Sequence, residues 1–92
     1  MVKFNVGKVY KTNGIDQALK EDKYYLYEII SIFIKFISGN WGNLEAEDKE
    51  ANDLALINNE RLLGAYLTSK GKVYITTERD RSYTTIMFAK EY

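Results

Sequence analysis

Lys23-Tyr24-Tyr25-Leu26-Tyr27-Glu28-Ile29-Ile30-Ser31-Ile32-Phe33-Ile34-Lys35-Phe36-Ile37-Ser38 is the stretch that decides the fold. Its polar residues Glu28, Ser31, Lys35 and Ser38 recur at helical spacing and fall on one narrow face. Everything else is apolar or Tyr. The pattern predicts a helix with a very wide apolar face, packed on two sides. Asp22 suits the N-cap and Gly39 the position just past the C-terminus. Length argues against a membrane span. The apolar run from Ile29 to Ile37 is broken by Ser31 and Lys35, and a span needs about 20 apolar residues.

Upstream, Phe4, Val6, Val9 and Tyr10 suggest a first strand over 3–11, with Gly7 as a bulge. Asn13-Gly14 reads as a turn, and Ile15, Ala18 and Leu19 give a short helix over 15–21. Downstream, Gly39-Asn40-Trp41-Gly42-Asn43 is a tight loop. A second main helix follows over 45–58, with Leu44, Ala51, Leu54, Ala55 and Ile57 on its apolar side and Glu45, Glu47, Asp48, Lys49, Glu50 and Asp53 on its wet side.

The last third has the period of strands: 61–68, 72–77 and 82–88, the first two joined by Ser69-Lys70-Gly71. Together these elements predict a small single α+β domain spanning 1–92. An N-terminal strand, two main helices and a three-stranded antiparallel β-meander follow one another, with the helices packed on one face. The other face is expected to carry Tyr66, Tyr74, Thr76, Tyr83 and Thr85. A Tyr- and Thr-rich open face suits protein binding, and is also what an ordinary exposed sheet looks like.

Composition narrows the function further. Lys plus Arg and Asp plus Glu each number 13, so net charge is zero and a general electrostatic grip on nucleic acid or anionic membrane is not indicated. The chain has no Cys and no His, which removes disulfides, thiolate metal sites, a Cys nucleophile and the commonest general base. No cofactor is expected. The segment Met1-Val2-Lys3-Phe4-Asn5 lacks the apolar run of a signal peptide, so a cytoplasmic protein is expected.

Three clusters carry candidate chemistry. The acids Glu47, Asp48, Glu50 and Asp53 contain oxygen ligands but sit on a helix beside Lys49, and read as a solvated face. The turn Glu78-Arg79-Asp80-Arg81-Ser82, followed by Tyr83, combines carboxylates, guanidinium groups and a hydroxyl. It suits a structural brace, a partner or phosphate contact, or acid–base chemistry in falling order. Trp41 between glycines suits a plug at the helix–sheet junction or an exposed anchor for a partner. The candidate partner-binding residues are therefore Trp41, Tyr66, Tyr74, Glu78, Arg79, Asp80, Arg81, Ser82 and Tyr83.

One resemblance runs through Gly39-Asn40-Trp41-Gly42, Glu47-Asp48, Asn52, Ala55-Leu56, Arg61-Leu62-Leu63-Gly64-Ala65-Tyr66, Ile75-Thr76-Thr77-Glu78, Asp80-Arg81-Ser82, Thr84-Thr85 and Glu91-Tyr92. This set resembles a family of small uncharacterised proteins encoded mainly on bacterial plasmids, integrated elements and prophages. The resemblance covers about residues 39–92. It implies an accessory role on a mobile element and brings no established activity. Relatives in that pattern carry a His where Phe36 stands, an Asp at Asn40 and an Ala at Arg79, so chemistry resting on that His and Asp is closed to this chain. The expected function is a non-enzymatic protein-binding factor that occludes a host protein, such as a defence nuclease or effector complex. The alternatives are a nucleic-acid accessory using Lys3, Lys8, Lys11, Arg79 and Arg81, or a small hydrolase or nuclease using Glu78, Asp80 and Arg81. A homodimer through a sheet edge or the apolar helix is left open.

Overall fold

Thr12 starts the first helix. Its hydroxyl accepts the Ile15 N–H at 3.4 Å, which satisfies one of the free donors of α1 (Asn13–Glu21). Asn13-Gly14, expected as a turn, is therefore the first helical turn. A computed structural model describes residues 2–92 of the chain. The helix α2 (Tyr25–Ile37) begins two residues later than its pattern suggests. Asp22 does not cap it directly; its carboxylate accepts the Tyr24 N–H at 3.0 Å in the turn before it. At the other end Gly39 has φ +82°, and the N–H groups of Gly39 and Asn40 reach the carbonyls of Phe36 and Lys35 at 3.1 and 2.9 Å. This is the left-handed helix stop that Gly39 was expected to make. The helix α3 (Ala46–Ile57) matches its predicted span.

Among the described residues four strands form one mixed sheet in the order β1-β4-β3-β2. They are β1 (Lys8–Lys11), β2 (Leu62–Thr68), β3 (Gly71–Thr77) and β4 (Tyr83–Phe88). The expected antiparallel meander is present as β2-β3-β4. The expected N-terminal strand is the sheet's fourth member, a pairing the meander left out: β1 lies parallel to β4, with Lys8 opposite Tyr83 and Lys11 opposite Ile86. Only the second half of the expected 3–11 strand pairs. Residues 3–7 run outside the sheet, where the Phe4 ring packs edge-on to Phe36 at 5.3 Å and stacks on Trp41 at 6.2 Å.

Register assigns the faces. Tyr66 pairs with Val73, Val73 with Phe88, and Ile75 with Ile86, so these side chains share the core face beneath α2. Tyr66 was expected on the open face. Instead it is buried, and its hydroxyl donates to the Asn40 carbonyl at 2.7 Å. Burial pushes that phenol well above the ordinary Tyr range. Thr76, also expected outside, does face the far side but is buried.

The helix α2 buries Tyr25, Ile29, Ile32 and Phe36, one stripe at spacings of four, three and four. The predicted packing on two sides does not occur, because Leu26, Ile30 and Ile34 stay about half exposed at 47%, 46% and 54%. Glu28 leaves the wet face. Its carboxylate accepts the Ser69 hydroxyl and the Ser69 N–H, which holds its pKa below the ordinary value and ties α2 to the β2–β3 turn. On α3 the expected apolar residues Leu54 and Ile57 are exposed; the buried residues are Ala55 and, unexpectedly, Asn52.

Candidate functional site

The sheet has two edges, and their treatment differs. On β2, alternate residues turn their main-chain groups outward, and almost all of them are taken. Asn52 on α3 donates its side-chain amide to the Leu63 carbonyl at 2.8 Å and accepts the Leu63 N–H at 3.0 Å. The Ala65 N–H donates to the Trp41 carbonyl at 3.0 Å, and the Ala65 carbonyl accepts the Asn43 N–H at 2.6 Å. The Leu67 N–H reaches the Asn43 side chain at 3.3 Å. Gly42 makes this lining fit. It has φ +80°, and a Cβ there would collide with the Ala65 carbonyl oxygen.

Trp41 is therefore a plug and not an exposed anchor. It is 3% exposed, sits edge-on to Phe36 at 5.7 Å, and donates its indole N–H to Asp53 at 2.8 Å. The turn residues are likewise occupied by the fold. Arg81 has φ +60°, and its guanidinium donates to the carbonyls of Glu60, Glu78 and Ala55 at 2.6, 3.2 and 3.3 Å. It thus satisfies the end of α3 and braces the β3–β4 turn. Asp80 accepts the Ser82 N–H at 3.0 Å, and the contacts from Ser82 lower its pKa. Glu78 pairs with Arg61 at 3.3 Å. The Glu78 side chain thus engages Arg61 and the Asp80 side chain the Ser82 N–H, while Arg81 takes main-chain carbonyls, that of Glu78 among them; no ion pair joins the three side chains among the described residues. Arg79 is exposed.

Behind the sheet, α3 and the C-terminal segment frame an open groove of about 540 Å³. Tyr74 lines it together with Tyr92, the two rings meeting edge-on at 5.4 Å. Arg61 donates to the Tyr92 hydroxyl at 3.0 Å as well as to Glu78. Its charge is thus largely occupied. Among the described residues there is no group of three or more acids that could hold a metal ion, the α3 face included.

The β1 edge is open. The N–H groups of Lys8 and Thr12 donate toward β4, to Ser82 and Ile86, both at 3.1 Å. By strand alternation the N–H and C=O of Val9 and Lys11 point away from the sheet. No bond to them from outside the ladder occurs among the described residues. Directly beside this edge lies an apolar groove of about 220 Å³, formed by Val9 and Ile86 below and Ile29, Ile30, Phe33 and Ile34 above. Val9 is 48% exposed. On the opposite face Tyr10 meets Tyr83 edge-on at 5.9 Å. Of the nine residues singled out from sequence, Ser82 and Tyr83 adjoin this edge, Ser82 through its carbonyl and Tyr83 through its ring. Composition gave no reason to prefer Val9 or Ile30 over other aliphatics, because their exposure depends on where β1 pairs.

The β1 end is fastened by Glu91. Its carboxylate accepts the Thr12 hydroxyl at 2.8 Å, the Phe88 N–H at 2.9 Å and the Gly14 N–H at 3.2 Å. Partial burial pulls its pKa upward, and these hydrogen bonds outweigh that, leaving it below the ordinary value. No helix among the described residues is long and apolar enough to cross a membrane. Comparisons with family models, curated proteins and solved structures find no match to the chain.

Proposed function

We propose that this chain is a protein-binding factor of a phage or other mobile element. It acts by covering a surface of a host protein, without chemistry of its own. The sharpest form of the reading is an antagonist of host defence, of the anti-CRISPR or anti-restriction kind, working in the cytoplasm. The observation that carries the binding function is the β1 edge: unpaired main-chain groups run alongside a groove of half-exposed aliphatic side chains. Exposed apolar surface beside an open strand is what protein partners cover. The mobile-element origin rests on the resemblance over residues 39–92.

The test is a pull-down with the tagged chain from lysate of a host with active CRISPR and restriction systems, read by mass spectrometry. A defence effector at near-equal amount is expected, and its loss with Ile34→Glu. Recovery of no effector, or equal recovery by the variant, overturns the reading.

A further inference from the structure

We infer that the β1 edge takes an extended segment of the partner as a fifth strand. That strand has apolar side chains toward α2 and acidic ones on the other face. The inference rests on the protein-binding reading above and gives that site its ligand chemistry.

Alternation dictates the apolar half. A strand laid beside Val9 directs every second side chain to the α2 face, where Ile30, Phe33 and Ile34 are waiting. The intervening side chains point to the face of Lys8 and Tyr10. Charge dictates the other half. The strand Lys8-Val9-Tyr10-Lys11 has two cations and no acid. Lys11 is held by Asp16 at 3.4 Å, an acid shared with Lys20 at 3.1 Å. Lys8 forms no ion pair among the described residues. A carboxylate on the incoming strand would be its cross-strand neighbour. A second copy of this chain is a poorer occupant. Pairing β1 with β1 would gather four lysines in one short ribbon with no carboxylate of either strand between them, which is how edge lysines discourage self-pairing.

The experiment titrates the ¹⁵N-labelled full chain with the peptide acetyl-Glu-Val-Glu-Ile-Glu-Val-amide, following its amide spectrum. The expected result is saturable shifts centred on Val9 and Lys11, with at least ten-fold weaker binding of acetyl-Lys-Val-Lys-Ile-Lys-Val-amide. Lys8→Glu should reverse that preference. Ile34→Glu should weaken both peptides at least ten-fold while its own spectrum stays folded, since the side chain is half exposed. Shifts centred elsewhere, no binding at millimolar peptide, or an unchanged preference in Lys8→Glu overturn the inference. So does a dimer in sedimentation equilibrium whose interface maps to β1. A chain that captures a defence effector but ignores both peptides loses the strand mechanism alone. One that binds the acidic peptide yet captures no effector keeps this site and loses the defence role.

Discussion

The two edges of this sheet solve opposite problems with the same groups. Along β2, Asn52, Trp41 and Asn43 stand in for a missing strand, matching the main-chain donors and acceptors of Leu63 and Ala65 and the donor of Leu67. Along β1 no such lining occurs among the described residues, and the protection is limited to shortness and to Lys8 and Lys11. An unpaired edge invites another chain, so a protein usually blunts all of its edges. Here the blunting is thorough on one side and slight on the other. The side left open is also the one flanked by exposed aliphatic residues of α2. The fold can therefore seal an edge, and does so selectively.

The sealed β2 edge is most vulnerable at Trp41. Trp41→Ala removes the plug and its bond to Asp53, and should cost about 3–5 kcal/mol in denaturant unfolding, with faster exchange of the Ala65 and Leu67 amides. Asn52→Leu is a finer cut. It leaves the Leu63 N–H and C=O without partners and should cost about 2–3 kcal/mol; Asn52→Asp keeps the acceptor but sets a carboxylate oxygen against the Leu63 carbonyl, and should cost no less. The β1 side is probed through Glu91. Its pKa is lower folded than unfolded, so it contributes stability above its ordinary value near 4.5 and loses that contribution as pH falls through the folded value. Glu91→Gln should therefore flatten the acid limb of the stability profile below about pH 4.5, at a cost of about 1 kcal/mol at neutral pH. Ile34→Glu should have the smallest effect, within about 0.5 kcal/mol in denaturant unfolding, because the side chain is already half exposed. A larger loss would mean that the α2 face is core after all.

Long periodic segments were legible. The span of α2, the glycine stop at Gly39 and the three-strand meander follow from spacing and turn residues alone. The pairing of β1 with β4 was not, because its partner is remote and strand periodicity says nothing about neighbours. That one omission also hid the open edge. The face of Tyr66 was misassigned for a related reason: Tyr suits either side of a sheet, and its buried hydroxyl depends on the Asn40 carbonyl of a distant loop. Asn52 was missed because a buried Asn on a helix looks like a wet-face residue until an edge strand lies beside it. Many of the residues that carry the resemblance build the scaffold: Trp41 and Asn52 line the β2 edge, Arg81 caps α3, and Glu91 anchors Thr12. The groove around Ile30 and Ile34 lies outside that set.

The parallel seat of β1 also bears on synthesis. Thr84, which holds the Val6 carbonyl at 2.7 Å, lies 78 positions further along the chain. While the ribosome is making the middle of the protein, β1 has no neighbour and the apolar stripe of α2 has no sheet to rest on. Helices can form early, but the central strand arrives last, so tertiary structure must be acquired late and through remote contacts. Until then Tyr25 and Phe36, buried in the folded chain, have no sheet to cover them.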